Sequence, residues 1–213
     1  MICGVDEAGK GSVLGPMVIA AVSCSSEEVL SDLNIKDSKL LSPKERERLS
    51  AIIKKRCKTA VIRIDAQEID MIRREMTLNA CVARAHADAI NKLMPMTAYV
   101  DACDVNPFRY AEMVRSHLIK DCEIVSEHHA DSTYRIVSAA SIIAKVARDK
   151  EISKLTKKHG EIGSGYPSDP ATITYLSRYI DEHREPPLIA RKSWKTVTAM
   201  IGKMEQSNLS AFF

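Results

Sequence analysis

Asp6 and Glu7 are adjacent carboxylates that close the short apolar run Ile2-Cys3-Gly4-Val5, and a glycine-rich turn, Gly9-Lys10-Gly11, follows them before Gly15-Pro16. Two carboxylates at one point raise each other's pKa unless a cation offsets their charge. Hard divalent cations, which prefer oxygen ligands, are the natural partner. An apolar run bounded by glycines reads as a strand, in which neighbouring side chains point to opposite faces. Asp6 and Glu7 are therefore expected to converge only where that strand breaks, and Gly9 and Gly11 are expected to supply the break.

Two further acids take similar positions. Thr97 to Ala102 reads as a strand ending in Asp101, and Glu123-Ile124-Val125 opens another that leads through His128-His129-Ala130 to Asp131. Acids contributed by separate strand ends are how a sheet assembles a site. Asp6, Glu7, Asp101 and Asp131 could together hold two cations. Two divalent ions roughly 4 Å apart activate a water and stabilise the leaving oxygen of an in-line phosphodiester displacement, leaving 5′-phosphate and 3′-hydroxyl ends. Single acids at strand ends often cap turns instead, but the repetition, with Asp-Glu adjacency, favours the metal reading. Residues Gly4 to Gly11 nearly match a phosphate-binding loop, yet Gly11 stands in place of its metal-binding hydroxyl and two acids would sit inside its cradle. His128 and His129 would face opposite ways in a strand and are not assigned as ligands; Asp104, just before Asn106-Pro107, reads as a turn residue.

The elements that must position these acids alternate between strand and helix. Val13 to Ser25 suggests a strand forming a hairpin with the first. Ser42-Pro43 has the cap and first-turn proline of a helix running to about Arg56. Thr59 to Ala66 alternates like a third strand, and Thr77 to Met94 carries apolar residues at helical spacing. Asn106-Pro107 opens a helix to about Ile119, and Ser138 to Lys158 forms a long one. Glycines and prolines from Gly160 to Pro170 precede shorter helices, about 171–182 and 194–204. The 213 residues suit one domain with a small appendage, divided as a catalytic part (1–160), a helical C-terminal substrate-binding part (161–205) and a tail (206–213).

Lys and Arg number 31 against 28 Asp and Glu, a net charge of +3 that permits a nucleic-acid partner without demanding one. The 6 cysteines are scattered with no C-x-x-C pair, which argues against structural zinc and a disulfide framework and for reduced thiols in a cytoplasmic protein. No signal segment and no apolar run near the ~20 residues of a membrane span are present in the sequence. A soluble monomer is expected.

Asp6-Glu7-Ala8-Gly9-Lys10-Gly11, Lys36-Asp37-Ser38-Lys39, Val100-Asp101, and Ala130-Asp131 before Val137-Ser138-Ala139-Ala140-Ser141-Ile142-Ile143-Ala144-Lys145 resemble ribonuclease HII. Gly163-Ser164-Gly165-Tyr166-Pro167-Ser168-Asp169-Pro170 and Arg191-Lys192-Ser193-Trp194 are similar to its archaeal branch. The resemblance implies an α/β ribonuclease H-like fold with a mixed five-stranded sheet flanked by helices and a helical C-terminal extension. It also implies cleavage of RNA in RNA–DNA hybrids, and 5′ of ribonucleotides embedded in duplex DNA, with Mg²⁺ or Mn²⁺. Asp6, Glu7, Asp101 and Asp131 match that family's catalytic acids. Gly9-Lys10-Gly11 matches the turn that reads the ribose 2′-hydroxyl, and Tyr166 the tyrosine that stacks on the sugar at the RNA–DNA junction. Lys10 replaces the usual arginine, losing its planar multi-donor fork, and Ser12 stands where proline is common. Tyr166 could alternatively be a turn residue packed beside Pro167. Lys39 and Lys145 are candidate phosphate contacts, or else solvated surface charges.

Gln206, Leu209, Phe212 and Phe213 resemble the PIP box, the peptide by which replication proteins bind the sliding clamp of PCNA type. Its spacing sets Leu209 and Phe212 as a helical-turn plug for an apolar pocket; the alternative is a terminal helix docking on the body. Two rival functions are a junction resolvase of the same fold, which would lack the 2′-hydroxyl turn, and a non-catalytic, clamp-bound hybrid binder, which could dispense with the acids.

Overall fold

The structure, a computed structural model, describes residues 1–35 and 41–210, the side chains of residues 207–210 excepted. Lys39, Phe212 and Phe213 lie outside the described residues, and nothing is shown of the side chain of Leu209.

Five strands form one mixed sheet: β1 (Ile2–Ala8), β2 (Met17–Cys24), β3 (Lys58–Ile64), β4 (Thr97–Asp101) and β5 (Glu123–Glu127), in the order β3-β2-β1-β4-β5. The expected hairpin is present, with β1 antiparallel to β2 from Ile2↔Cys24 to Ala8↔Val18. β4 lies parallel to β1, and β5 parallel to β4. The helices are α1 (Pro43–Arg56), α2 (Ala66–Ile72), α3 (Leu78–Leu93), α4 (Pro107–Arg115), α5 (Ala130–Thr133), α6 (Arg135–His159), α7 (Pro170–His183) and α8 (Lys195–Ser210). None among the described residues is long and apolar enough to cross a membrane.

Contacts group the chain into two units: Met1–Ala8, Val18–Arg63 and Met76–Ala147 make the first, and Gly9–Met17, Ile64–Glu75 and the chain from Arg148 onward make the second. In the first unit the core joins Ala20 and Val22 of β2, Leu49 and Ile53 of α1, and the first half of α6. There α6 is buried nearly all round, from Ile136 to Ala144, as a helix inside a core must be. Gly4 has no room for a side chain, because a Cβ would overlap the Ile136 carbonyl; the glycine lets β1 meet the start of α6 at backbone distance. In the second unit Val13, Leu14, Ile162, Leu176, Ala190 and Val197 form a separate apolar cluster. Fully burying one such Leu or Val is worth roughly 1.5–3 kcal/mol.

The structure corrects several sequence expectations. β1 does not break at the acids: Asp6 and Glu7 are regular ladder residues opposite Ala20 and Ile19. β5 ends at Glu127, so His128 and His129 belong to a turn and Asp131 sits in the first turn of α5, not at a strand end. That turn closes through His129 in the left-handed region, φ 58°, a conformation with no sequence signature in a non-glycine residue. α4 stops at Arg115, short of Ile119. α2 is a helix beyond those expected, and Asp65 and Glu68 form a capping box at its start. At the C-terminus α8 runs on to Ser210.

Candidate active site

The acids are gathered at one end of the first unit's sheet by register. β1 pairs with β4 only as far as Val5↔Val100, so Asp6 lies just past that ladder on one strand and Asp101 just past it on the next. Alternation then sends Asp6 and Glu7 to opposite faces: Asp6 reaches the Ser141 hydroxyl of α6, and Glu7 reaches His86 of α3. Asp131 joins through α5, whose Ala130 N–H donates to Asp101 Oδ1 at 2.9 Å. The Ser138 hydroxyl donates to the Asp131 carbonyl, fixing α5 against α6.

Their electrostatics are those of one cluster. Burial pushes Asp6 well above the ordinary carboxylate range, with the neighbouring charges of Glu7 and Asp101 adding to it, while Ser141 and the Glu7 N–H pull the other way. The Glu7 N–H donates to Asp6 Oδ1 at 2.7 Å. Asp101 is also raised, first by burial, and then by Glu7 and Asp131, against the Ala130 N–H. Buried, mutually repelling carboxylates are an oxygen-only donor set short of positive charge, which fits a hard divalent ion. Among the described residues no group of three or more His, Cys, Asp or Glu side chains is arranged to hold a metal ion as it stands. The acids are joined as a chain, Asp6 to Glu7 and Asp101, and Asp101 to Asp131.

Two supports were not anticipated from the sequence. His86 is fully buried; its Nε2 lies 3.1 Å from Glu7 Oε2 and its Nδ1 3.1 Å from the Tyr110 hydroxyl. The signal available was a histidine on the apolar face of α3, one turn from Val82 and Ile90. On the other face Lys145 Nζ donates to Ser141 Oγ at 3.0 Å, so this candidate phosphate contact is tied to Asp6 through one hydroxyl. Asp104 holds a turn, as expected: its Oδ1 accepts from the Asn106 N–H at 3.0 Å and from Arg109 Nε at 3.1 Å.

Gly9, Lys10, Gly11 and Tyr166 belong to the second unit. Gly9 has φ +85° and a Cβ there would overlap the Arg148 side chain, so only glycine fits. Ser12, fully buried, folds back on the turn, its hydroxyl donating to the Gly9 carbonyl at 2.9 Å. Gly11 is exposed, with nothing near the place of a Cβ. Arg191, fully buried, donates to the carbonyls of Gly9 (2.7 Å), Lys10 (2.8 Å) and Gly15 (3.1 Å). Tyr166 is half-buried with the Arg148 guanidinium 4.5 Å from its ring centre, and Arg148 Nη2 donates to the Ser164 carbonyl at 3.0 Å. Asp169 closes the same loop, accepting from the Ser164 N–H at 2.6 Å. That bond, the Ser164 hydroxyl and the Ala171 N–H hold its carboxyl below the ordinary value.

A family model described as Ribonuclease HII matches residues 3–197. The chain belongs to the ribonuclease HII family. It is 69% identical over 213 residues to Ribonuclease HII of Methanoregula boonei, covering 100% of both chains. Among solved structures it resembles ribonuclease H2 from Pyrococcus horikoshii OT3, with 40% identity and a TM-score of 0.89 over 96% of this chain and 99% of the other. It likewise resembles RNase HII in the PCNA:RNase HII complex from Archaeoglobus fulgidus, with 42% identity and a TM-score of 0.87 over 94% and 96%. The fold is therefore the ribonuclease H-like one expected, and as a ribonuclease HII the chain is an endonuclease hydrolysing RNA in RNA–DNA hybrids.

Proposed function

We propose that this ribonuclease HII cuts on the 5′ side of ribonucleotides embedded in duplex DNA as well as within hybrids, with Asp6, Glu7, Asp101 and Asp131 as its catalytic, metal-holding acids. The observation that carries the reading is the meeting of these acids at one end of the sheet, Asp6 and Asp131 buried, with Asp6 and Asp101 raised first by burial and then by neighbouring carboxylates. Two Mg²⁺ or Mn²⁺ ions held there would supply water activation and leaving-group stabilisation, giving 5′-phosphate and 3′-hydroxyl ends. The chain's own part is to hold the carboxylates ready: His86 orients Glu7, Ser141 steadies Asp6, and the Ala130 N–H fixes Asp101. Lys145 would meet a substrate phosphate.

Recognition is assigned to Gly9, Lys10 and Gly11, whose backbone would read the 2′-hydroxyl that separates RNA from DNA, and to Tyr166, whose ring would stack on the junction sugar. Support for Tyr166 is its half-buried ring backed by Arg148; support for the turn is its glycine-only geometry at Gly9. Lys39 is proposed as a second phosphate contact. In functional terms residues 1–160 would cut, 161–205 would bind substrate and 206–213 would engage a clamp. Gln206 is exposed at the end of α8, and with Leu209, Phe212 and Phe213 it completes the spacing of a clamp-binding peptide. The Archaeoglobus fulgidus relative, seen in complex with PCNA, supports that partner. The chain would act in the cytoplasm as a monomer, in ribonucleotide excision and primer removal. Asp6→Asn tests the assignment: cleavage should be abolished while binding to a ribonucleotide-containing duplex persists, and retained turnover would overturn it.

A further inference from the structure

Arg191 is an arginine with 0% exposure, the largest fully buried side chain described, and burying a guanidinium is costly unless its donors are satisfied. Its guanidinium donates to main-chain oxygens of one turn. Nη2 donates to Gly9 O at 2.7 Å and to Gly15 O at 3.1 Å, Nη1 to Lys10 O at 2.8 Å, and Nε to Gly15 O at 3.2 Å. One rigid fork thus spans both ends of the segment from Gly9 to Gly15, which a lysine with a single ammonium could not do. The Arg191 main chain is anchored as well, its N–H donating to Val13 O at 2.9 Å, and the Trp194 ring lies 4.8 Å from its guanidinium. With the carbonyls drawn to Arg191, the N–H of Gly11 has no partner among the described residues.

We infer that Arg191 is a positioning residue for substrate discrimination: it presets the Gly9–Gly15 turn so that the backbone distinguishes a ribose from a deoxyribose without first having to order itself. The inference rests on the reading of this turn as the ribose reader. It explains how a chain with lysine at position 10 keeps its recognition in the backbone, since the turn's geometry comes from residue 191 and not from the side chain of residue 10. Order supplied in advance is not lost on binding, and a donor aimed at a hydroxyl rejects the analogue that lacks it.

The test uses the full chain carrying Asp6→Asn, so that binding is read without cleavage, with and without Arg191→Lys. Affinity is measured for a DNA duplex with one ribonucleotide and for the same duplex entirely of DNA. Arg191→Lys should lower the preference for the ribonucleotide duplex about tenfold, the equivalent of one hydrogen bond, while affinity for the all-DNA duplex stays unchanged. Equal loss on both duplexes, or a preserved preference, would overturn the positioning role. A parent protein with no preference at all would overturn the ribose-reading function beneath it, and the inference with it. Should Arg191→Lys not fold, amide exchange in the wild-type chain decides. Slow exchange of Ser12 to Gly15 without substrate is expected, and exchange as fast as an unstructured loop would contradict a preset turn.

Discussion

His86 Nε2 stands 3.1 Å from Glu7 Oε2, with His86 fully buried and its other ring nitrogen 3.1 Å from the Tyr110 hydroxyl. A ring nitrogen that faces a carboxylate serves as the donor, so Nε2 is the side of His86 that serves Glu7 and Nδ1 the side that serves Tyr110. Burial pushes the Tyr110 phenol well above its ordinary pKa, and Cys103 is a second hydrogen-bond partner of its hydroxyl. The row Tyr110-His86-Glu7 fixes the direction of the Glu7 carboxylate from inside the helical layer.

Replacing His86 by Leu should therefore do two separable things. It removes the ring's hydrogen bond to the Tyr110 hydroxyl, which keeps Cys103 as a partner, at a cost of about 1 kcal/mol in unfolding free energy, and it frees Glu7, lowering kcat roughly tenfold or more. Adding Tyr110→Phe should restore much of the stability but not the rate. Recovery of both by the double variant would show that His86 serves packing alone.

The raised pKa values of Asp6 and Asp101 predict a pH dependence of stability in chelator. For each the folded value lies above the unfolded one, near 3.8. The folded state thus binds more protons, and stability falls as pH rises through the folded pKa. Below 3.8 the contribution is fully present. Asp6→Asn should accordingly stabilise the metal-free chain at pH 8 by roughly 1–2 kcal/mol, the usual scale of relieved functional-site strain, and lose that advantage as pH falls toward the unfolded value. Denaturant melts at pH 8 and pH 5 check the sign; a variant less stable than wild type at pH 8 would contradict it.

Tyr166 lies against Arg148 with its ring half exposed, so the ring and not the hydroxyl carries the predicted contact. Tyr166→Phe should keep cleavage of a single-ribonucleotide duplex within a few-fold. Tyr166→Ala should weaken it by about 1–3 kcal/mol, the scale of stacking on an aromatic side chain. Steady-state kinetics on the two variants compare these outcomes, and equal loss in both would move the role to the hydroxyl.

Deleting Gln206 to Phe213 should leave cleavage of short oligonucleotides unchanged and remove association with a PCNA-type clamp in a pull-down. Gln206, where the deleted region begins, is exposed. Association that survives the deletion would return the terminal aromatics to a packing role.

The parts legible in the sequence were those with local causes. Apolar runs mark β1, β2 and β4, alternation marks β3, and the caps Ser42 and Asn106 accept the N–H bonds their positions implied. Asp101 was found because it ends such a run. Asp131 was found as an acid but misplaced, because the left-handed His129 that turns the chain out of β5 leaves no mark in residue type. His86 and Arg191 were missed as supports for a common reason: each acts across the fold, on Glu7 from 79 positions away and on Gly9 from 182. No periodicity encodes such separations. Ser12, where the resemblance implies proline, donates its hydroxyl to the Gly9 carbonyl.

Incubating the wild-type chain with Mg²⁺ or Mn²⁺ and a DNA duplex that carries one ribonucleotide, beside the same duplex entirely of DNA, tests the central claim most directly. A single cut 5′ of the ribonucleotide, with a 3′-hydroxyl upstream and a 5′-phosphate downstream and the all-DNA duplex intact, is the predicted result. An uncut ribonucleotide duplex, or cleavage of both duplexes alike, would contradict it.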